Sequence, residues 1–219
     1  MINKKRSPKA VLFDFDGVIV DSKATHQKAW RSAAIEMWGE DPGTYPPELS
    51  GQSPFNIARY FSVLNQDEPR TEAFMILKRE HLGQQKNPAP LLPGAKSLFD
   101  FLKKENIPFG IASNAPQSFV IRTVDLHGLS VEAMFGYENY QHPKPNPEPY
   151  FLLAKALKIS PDDFSDCIIF EDSKTGLQAA AATGMMVVGV KTAYDELTLR
   201  AAGADYVVQD LAEALALLF

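Results

Sequence analysis

Cysteine is nearly absent from this sequence, which contains a single one at position 167. One cysteine cannot form an intrachain disulfide, so nothing indicates an oxidising compartment. Cys167 lies in the apolar run 167–170, and we expect a buried thiol with a structural role. Long apolar stretches are also missing, since no run approaches the roughly 20 residues of a membrane span.

A surplus of positive charge is missing as well. The 22 lysines and arginines are outnumbered by 27 acidic residues, which gives a formal net charge of −5. Such a chain has no basic field to attract a phosphate backbone. The first residues are basic, but the apolar stretch that follows is short and is interrupted by Asp14 and Asp16, which argues against a signal peptide. We therefore expect a cytoplasmic protein that binds neither nucleic acid nor membrane.

Short apolar runs alternate with helical patterns from position 93 onward. Buried strands of this kind, separated by helices of about 10–15 residues, indicate right-handed crossovers and a parallel sheet covered on both faces. The patterns predict strands at 10–13, 108–112, 134–137, 167–170, 186–190 and 206–208. They predict helices at 94–105, 117–127, 147–158, 173–183, 195–202 and 211–218.

The segment between the first and second strands has a different character. Asp21 and Ser22 form a helix N-cap signal, and helices are predicted at 23–38, 54–64 and 70–85. A proline-rich linker follows and prevents the last helix from continuing. We predict a doubly wound, Rossmann-like α/β core (1–21 and 89–219) with an inserted α-helical cap (22–88).

Polar residues stand where the predicted strands end. In open parallel sheets, ligands bind at the carboxyl ends of the strands, so these side chains are candidates for one site. They are Asp14 and Asp16, Ser113 and Asn114, Glu171 and Asp172, with Lys144 in a loop before a helix. Taken alone, Asp14 and Asp16 also fit a plain strand end followed by a turn at Gly17. A calcium loop is disfavoured because its twelfth position is Thr25 instead of glutamate.

Four strings in order carry a resemblance to a known family. The sequence reads DFDGVIVDS from Asp14, SN at Ser113, KPNPEPY from Lys144 and FEDSKTG from Phe170. Together they resemble the motifs of the haloacid dehalogenase superfamily. The first string is similar to that of the subfamily with a helical cap after the first strand, which includes phosphoglycolate phosphatase-like enzymes and β-phosphoglucomutase. The resemblance spans residues from about 10 to 192.

The resemblance implies a nucleophile, an acid/base and a metal. Asp14 would receive the phosphoryl group as an aspartyl-phosphate, and Asp16 would act as general acid and base. Mg²⁺ would be held by Asp14, Asp16 (through its backbone carbonyl), Glu171 and Asp172. The four carboxylates carry four negative charges, of which Mg²⁺ and one lysine offset three, so a phosphate dianion can enter only when the metal is bound.

The resemblance also implies a set of substrate-binding residues. Ser113, the backbone N–H of Asn114 and Lys144 would hold the transferring phosphoryl group. In the helical segment, His26 stands five residues after Asp21, the spacing of a histidine near the acid/base in mutase-like relatives, and Lys78 resembles a cap lysine that reaches the site. Arg79 shares this resemblance with Lys78, and a solvent-exposed helix face is the open alternative for both, as a plain surface histidine is for His26. Trp30 could stack on a sugar ring, but we expect it in the core of the cap. His142 is given no role.

Two departures from the mutase pattern favour a phosphatase that acts on a small phosphate monoester. Where the mutases carry an arginine after Gly-x-Ser for a second phosphate, Pro54 stands here. Ala115 and Pro116 stand where the mutases offer Ser-Lys. A β-phosphoglucomutase-like sugar-phosphate mutase, and a catalytically silent binding protein on the same fold, remain open alternatives. We expect a monomer.

Overall fold

The computed structural model describes residues 7–46 and 49–218. The parts of the predicted core and cap at 1–6, 47–48 and 219 lie outside the described residues. The described chain forms six strands: Ala10–Phe13 (β1), Phe109–Ala112 (β2), Ala133–Phe135 (β3), Cys167–Glu171 (β4), Met186–Val190 (β5) and Tyr206–Val208 (β6).

All six strands belong to one parallel sheet in the order β3-β2-β1-β4-β5-β6, which confirms the predicted fold class. The order reverses around β1, the first strand of the chain and a central strand of the sheet. Its neighbours are β2 and β4, so the carboxyl ends of these three strands lie side by side. This register brings Ser113, Asp14 and Glu171 to one edge of the sheet.

Apolar side chains of β1 alternate between two buried clusters. Val11 and Phe13 belong to the cluster on one face, and Ala10 and Leu12 to the cluster on the other. Phe13 stacks on Phe170 with ring centroids 5.3 Å apart. The faces are covered by six helices: Ala95–Lys104 (α4), Gln117–Leu126 (α5), Glu148–Ala156 (α6), Lys174–Ala181 (α7), Glu196–Ala201 (α8) and Leu211–Leu218 (α9).

Three further helices are inserted between β1 and α4: Lys23–Trp38 (α1), Pro54–Leu64 (α2) and Thr71–Gly83 (α3). They enclose a separate apolar cluster in which the ring centroid of Trp30 lies 5.3 Å from that of Phe74 and 6.0 Å from that of Phe61. The chain enters and leaves this helical unit along two segments that meet at an antiparallel bridge between Val20 and Leu91. The residue bounds 22–88 stay a prediction.

Several details differ from the sequence-based expectations. The third strand, predicted at 134–137, is Ala133–Phe135, and a 3₁₀ turn at Tyr137–Asn139 follows it. Two other 3₁₀ segments, Glu68–Arg70 and Pro161–Asp166, were not predicted, because such short turns have little periodicity to detect. Cys167 is buried as expected. None of the helices in the described part of the chain is long and apolar enough to cross a membrane.

Gly94, at the start of α4, offers a test of packing between α4 and α9. Its φ is +82°, and a Cβ there would overlap the backbone of Ala212 in α9. Gly39, at the end of α1, has φ +78° but open space around it. We expect Gly39→Ala to lower the free energy of unfolding by about 1–2 kcal/mol, the cost of a left-handed backbone alone. Gly94→Ala should lower the free energy of unfolding by about 1–3 kcal/mol more than Gly39→Ala does, because of the overlap.

Urea denaturation of the two variants beside the parent protein measures this difference. Equal destabilisation by the two substitutions would show that α9 does not pack on α4 as the structure has it.

Candidate active site

Asp14 is the first residue after β1, and its carboxylate is held by a lysine from a distant loop. Lys144 Nζ donates to Asp14 Oδ1 at 2.6 Å and to Glu171 Oε1 at 2.6 Å. All three side chains are buried. Burial acts to lower the pKa of Lys144, but the charges of Asp14 and Glu171 outweigh it and raise that pKa. The lysine is therefore a fixed cation between two carboxylates.

Glu171 ends β4 and accepts more hydrogen bonds than its neighbours. Tyr150 in α6 donates its hydroxyl to Glu171 Oε1 at 2.7 Å, and the Lys144 ammonium lies 4.7 Å from the centre of the Tyr150 ring. Glu171 Oε2 accepts the backbone N–H groups of Asp172 and Ser173 at 3.0 and 3.2 Å. Both oxygens of this carboxylate are thus engaged by protein donors.

Among the carboxylates of the site, Asp172 has the fewest hydrogen-bond donors to stabilise its negative charge within the described part of the chain. It is 5% exposed, and no side-chain hydrogen bond to it is found among the described residues. Burial, and then the charges of Asp14 and Glu171, raise the pKa of Asp172 well above its usual value. Burial and Glu171 likewise raise the pKa of Asp14 to about 8. Gly17 has φ +81°, and a Cβ there would overlap the Asp172 carboxylate, so the turn after β1 requires glycine.

Asp16 lies two residues beyond Asp14 and accepts three side-chain hydrogen bonds. Its donors are the Ser22 hydroxyl, His26 Nε2 at 3.0 Å and the Ser113 hydroxyl at 3.3 Å. Burial acts to raise the pKa of Asp16, but His26 and Ser22 reverse this and lower it. The predicted N-cap role of Ser22 is wrong in one respect, since its hydroxyl bonds Asp16 and makes no cap bond to α1.

His26 joins Asp16 to a buried lysine of the helical unit. Lys78 Nζ lies 3.0 Å from His26 Nδ1 and 4.9 Å from the centre of the Trp30 ring. An ammonium group can only donate, so Nδ1 accepts from Lys78 and Nε2 donates to Asp16. Lys78 is 3% exposed, and burial lowers its pKa to about 8. The sequence left open whether Lys78 faces solvent, and the structure places it inside.

Asn114 connects the lysine loop to the helical unit. Its Nδ2 donates to the Gly51 carbonyl at 3.0 Å, and its Oδ1 accepts the backbone N–H of Lys144 at 3.3 Å. Beside it, Gln52 donates to the Thr175 hydroxyl at 3.3 Å. The segment around Gly51 therefore rests directly on the end of the sheet.

A cavity of about 500 Å³ lies between the sheet end and the three inserted helices. Of the nine side chains predicted for the site, eight line it, and Glu171 is fully buried beneath the others. The eight are Asp14, Asp16, His26, Lys78, Ser113, Asn114, Lys144 and Asp172. The tertiary fold thus assembles these predicted residues around one space.

Comparison with known proteins agrees with this arrangement. The model of the haloacid dehalogenase-like hydrolase family matches residues 8–184. The chain belongs to the haloacid dehalogenase-like hydrolases. It is 30% identical to β-phosphoglucomutase from Bacillus subtilis over 94% of this chain and 91% of that protein. It is 29% identical to the fructose-1-phosphate phosphatase YqaB from Escherichia coli over 83% of this chain and 95% of that protein.

A solved structure of β-phosphoglucomutase from Clostridium difficile superimposes with a TM-score of 0.78 and 26% identity. The match covers 96% of this chain and 92% of that one. These findings confirm the predicted family and the predicted hydrolase class.

This hydrolase has a group of oxygen ligands that fits a divalent cation. One carboxylate oxygen each from Asp14, Glu171 and Asp172 lies within 4.8 Å of the others, and all three residues are buried. Lys144 brings one positive charge to these three carboxylates through its bonds to Asp14 and Glu171, while burial and the neighbouring carboxylates raise the pKa values of Asp14 and Asp172. Hard oxygen donors with excess negative charge suit Mg²⁺.

Sequence reasoning missed the contribution of two tyrosines to the hydrolase site. Tyr150 falls inside the quoted string from Lys144, but only the course of α6 beneath the site brings its hydroxyl to Glu171. Tyr45 lies in a predicted loop and lines the cavity. The three other residues considered in the sequence lie in different places. Trp30 lines the cavity. His142 pairs with Glu148 at 2.8 Å, and Arg79 pairs with Glu138 at 3.5 Å.

Proposed function

We propose that this hydrolase is a Mg²⁺-dependent phosphatase that removes the phosphoryl group from a small sugar phosphate through a phosphorylated Asp14. The observation that carries the proposal is the Asp14 carboxylate at the floor of the cavity, 2.6 Å from a buried lysine and beside Asp172. The two relatives described above are named for sugar phosphates, which supports this substrate class.

The first step is attack of an Asp14 carboxylate oxygen on phosphorus. An O–P bond forms to Asp14 as the bond to the leaving alcohol breaks. The alkoxide takes its proton from Asp16, which reaches the cavity from the turn after β1 and must be in its protonated form for this step. The negative charge of the bound phosphate opposes the lowering of the Asp16 pKa by His26 and Ser22 and favours this form. Lys144 stabilises the negative charge that moves toward the phosphoryl oxygens, and Ser113 and the N–H of Asn114 orient them.

The second step returns the enzyme to its starting state. Asp16 accepts a proton from a water molecule, and the water oxygen attacks the phosphorus held on Asp14. The bond between phosphorus and Asp14 breaks, which releases inorganic phosphate. The hydrogen bond from His26 orients the Asp16 carboxylate for both proton transfers.

The metal ligands would be the carboxylates of Asp14 and Asp172 and the backbone carbonyl of Asp16. Glu171 adds a negative charge beside these ligands, and it is not counted among them because both of its oxygens already accept hydrogen bonds from the protein. When bound, Mg²⁺ neutralises the excess charge of these carboxylates and of the phosphoryl group.

A sugar-phosphate mutase is the second candidate, because the similarity to β-phosphoglucomutase covers almost the whole chain. A mutase must hold a second phosphate while the sugar turns over. In the described part of the chain no arginine lines the cavity, and Lys78 is already bonded to His26. This favours release of phosphate to water. The predicted cytoplasmic location and monomeric state stay predictions.

Phosphate release from a panel of sugar monophosphates, with Mg²⁺ and after chelation by EDTA, tests the proposal. We expect turnover with Mg²⁺, a loss of at least about a hundredfold after chelation, and recovery when Mg²⁺ is restored. Formation of glucose 6-phosphate from β-glucose 1-phosphate faster than phosphate release would identify a mutase. Absence of turnover on every ester, together with a thermal shift by Mg²⁺, would identify a binding protein.

A further inference from the structure

Part of the cavity wall is formed by side chains that the phosphatase mechanism does not use. Four neutral polar side chains line this part of the wall on the side of the helical unit: Gln27, Thr44, Tyr45 and Ser50. Trp30 and Ile57 supply an apolar surface beside them. The wall thus combines hydrogen-bonding groups with an aromatic face.

The four polar side chains have no hydrogen-bond partner among the residues that the structure describes. Across residues 7–46 and 49–218 the side chains of Gln27, Thr44, Tyr45 and Ser50 make no hydrogen bond to another described residue. Nearby polar groups differ, since Gln52 bonds Thr175 and Asn56. Gln27, Tyr45 and Ser50 are half-buried and Thr44 is exposed, so their polar groups are accessible to water and available to a ligand that replaces this water.

Tyr45 is the largest of the four, and its side chain lines the same cavity as Asp16. Its ring packs edge-on against Phe61 with centroids 6.4 Å apart, which restricts the orientation of the ring. Burial, and then the negative charge of Asp16, raise the pKa of Tyr45 to about 12, so the hydroxyl keeps its proton and can donate a hydrogen bond.

Charges in the cavity disfavour a second anion on the substrate. Lys144 is committed to Asp14 and Glu171, and Lys78 to His26. The remaining lining cation, Lys23, is exposed at the start of α1, next to Asp21. A second phosphate or a carboxylate would lose its hydration without gaining a buried cation.

On the basis of the proposed phosphatase function, we infer that Tyr45 is a specificity-determining residue that binds the leaving group, and that this group is a neutral, polyhydroxylated alcohol. Hydroxyls of a hexose or hexitol would satisfy Tyr45, Gln27 and Thr44, and its C–H face would pack on Trp30. Substrates with a second phosphate or a carboxylate would be rejected.

Steady-state kinetics of the full chain with Mg²⁺ test this inference. The substrates are sorbitol 6-phosphate, which offers hydroxyls, and nitrophenyl phosphate, which offers none. We expect Tyr45→Phe to lower kcat/KM for sorbitol 6-phosphate about tenfold relative to that for nitrophenyl phosphate, mainly through KM. Tyr60→Phe is the matched control, because Tyr60 also packs edge-on against Phe61 but is not among the residues that line the cavity.

Each outcome of this experiment decides the inference. A ratio of the two kcat/KM values that stays within twofold in Tyr45→Phe would overturn the role of the hydroxyl. Parent-enzyme activity on phosphoglycolate or a hexose bisphosphate that equals its activity on sorbitol 6-phosphate would overturn the neutral leaving group. Loss of all turnover in the parent, nitrophenyl phosphate included, would instead refute the proposed function and the subsite with it.

Discussion

Asp14→Asn is expected to abolish phosphate release, with kcat reduced by at least about ten-thousandfold. The amide cannot attack phosphorus, so no phosphorylated residue can form. The side chain nearly keeps its volume, and the fold should therefore persist, since the strand before it is buried independently of the carboxylate. The measurement is the rate of phosphate release with saturating Mg²⁺ and the best ester of the panel.

Asp100→Asn is the matched control, because Asp100 is an exposed aspartate in α4 that pairs with Lys96. It should keep the parent rate. Mass spectrometry of acid-quenched parent enzyme should find one phosphoryl group on the peptide that contains Asp14, and none in Asp14→Asn. Residual turnover above about one per cent, in protein whose circular dichroism matches the parent, would assign the nucleophile elsewhere.

Lys144→Met has the second largest expected effect, and it acts on both rate and stability. The ammonium lies 2.6 Å from both Asp14 and Glu171 and is 3% exposed. Its removal leaves two buried carboxylates without their shared cation, which should lower the free energy of unfolding by about 3–5 kcal/mol in the absence of metal. The charge on the transferring phosphoryl group also loses its partner, so kcat should fall by about a hundredfold to a thousandfold.

Thermal unfolding with and without Mg²⁺ separates the two effects. Because a divalent cation compensates the same carboxylates, Mg²⁺ should raise the Tm of Lys144→Met more than that of the parent protein. Lys155→Met serves as the control, since Lys155 is an exposed lysine in α6. A Lys144→Met protein as stable as Lys155→Met in EDTA would show that Lys144 does not bridge the two acids.

Hydrogen bonds connect the helical unit, which we propose binds the leaving group, to the core residues that we propose carry out the reaction. His26 and Lys78 come from α1 and α3, yet their hydrogen bonds end on Asp16 of the core. Asn114 of the core in turn donates to the Gly51 carbonyl. Under the proposed function, the acid/base Asp16 is therefore oriented by the same helical unit that carries Tyr45 and Trp30, and a substrate bound against these two residues would meet an Asp16 held by His26.

Much of the core could be predicted from local patterns. The apolar runs that become β1, β4 and β5 are short and nearly continuous, as in strands buried on both faces. Polar residues directly after such runs predict a site at the carboxyl edge, because parallel strands end together. The positions of Asp14, Ser113 and Glu171 follow from that rule alone.

Other features could not be predicted, because they depend on how separate segments pack. A serine before a helix reads as an N-cap, and only the approach of Asp16 turns the Ser22 hydroxyl away from α1. The sequence leaves Lys78 open between a solvent-exposed position and one that reaches the site, and only the packing of α1 against α3 places it beside Trp30 and His26. Tyr45 lies in a loop without periodicity, so no pattern indicates which way it faces.

The order of residues along the chain determined the α/β class, the family motifs and the charged groups that the chemistry needs, since each depends on neighbours within a few positions. Tertiary structure decided which of those groups share the cavity, that Lys78 and Lys144 are buried, and which neutral side chains of the cavity make no hydrogen bond to another described residue. These properties depend on distances between residues far apart in the chain, as from Lys144 to Asp14 or from Lys78 to His26. Burial and pairing set the charge of each group, and both arise only when folding brings these residues together.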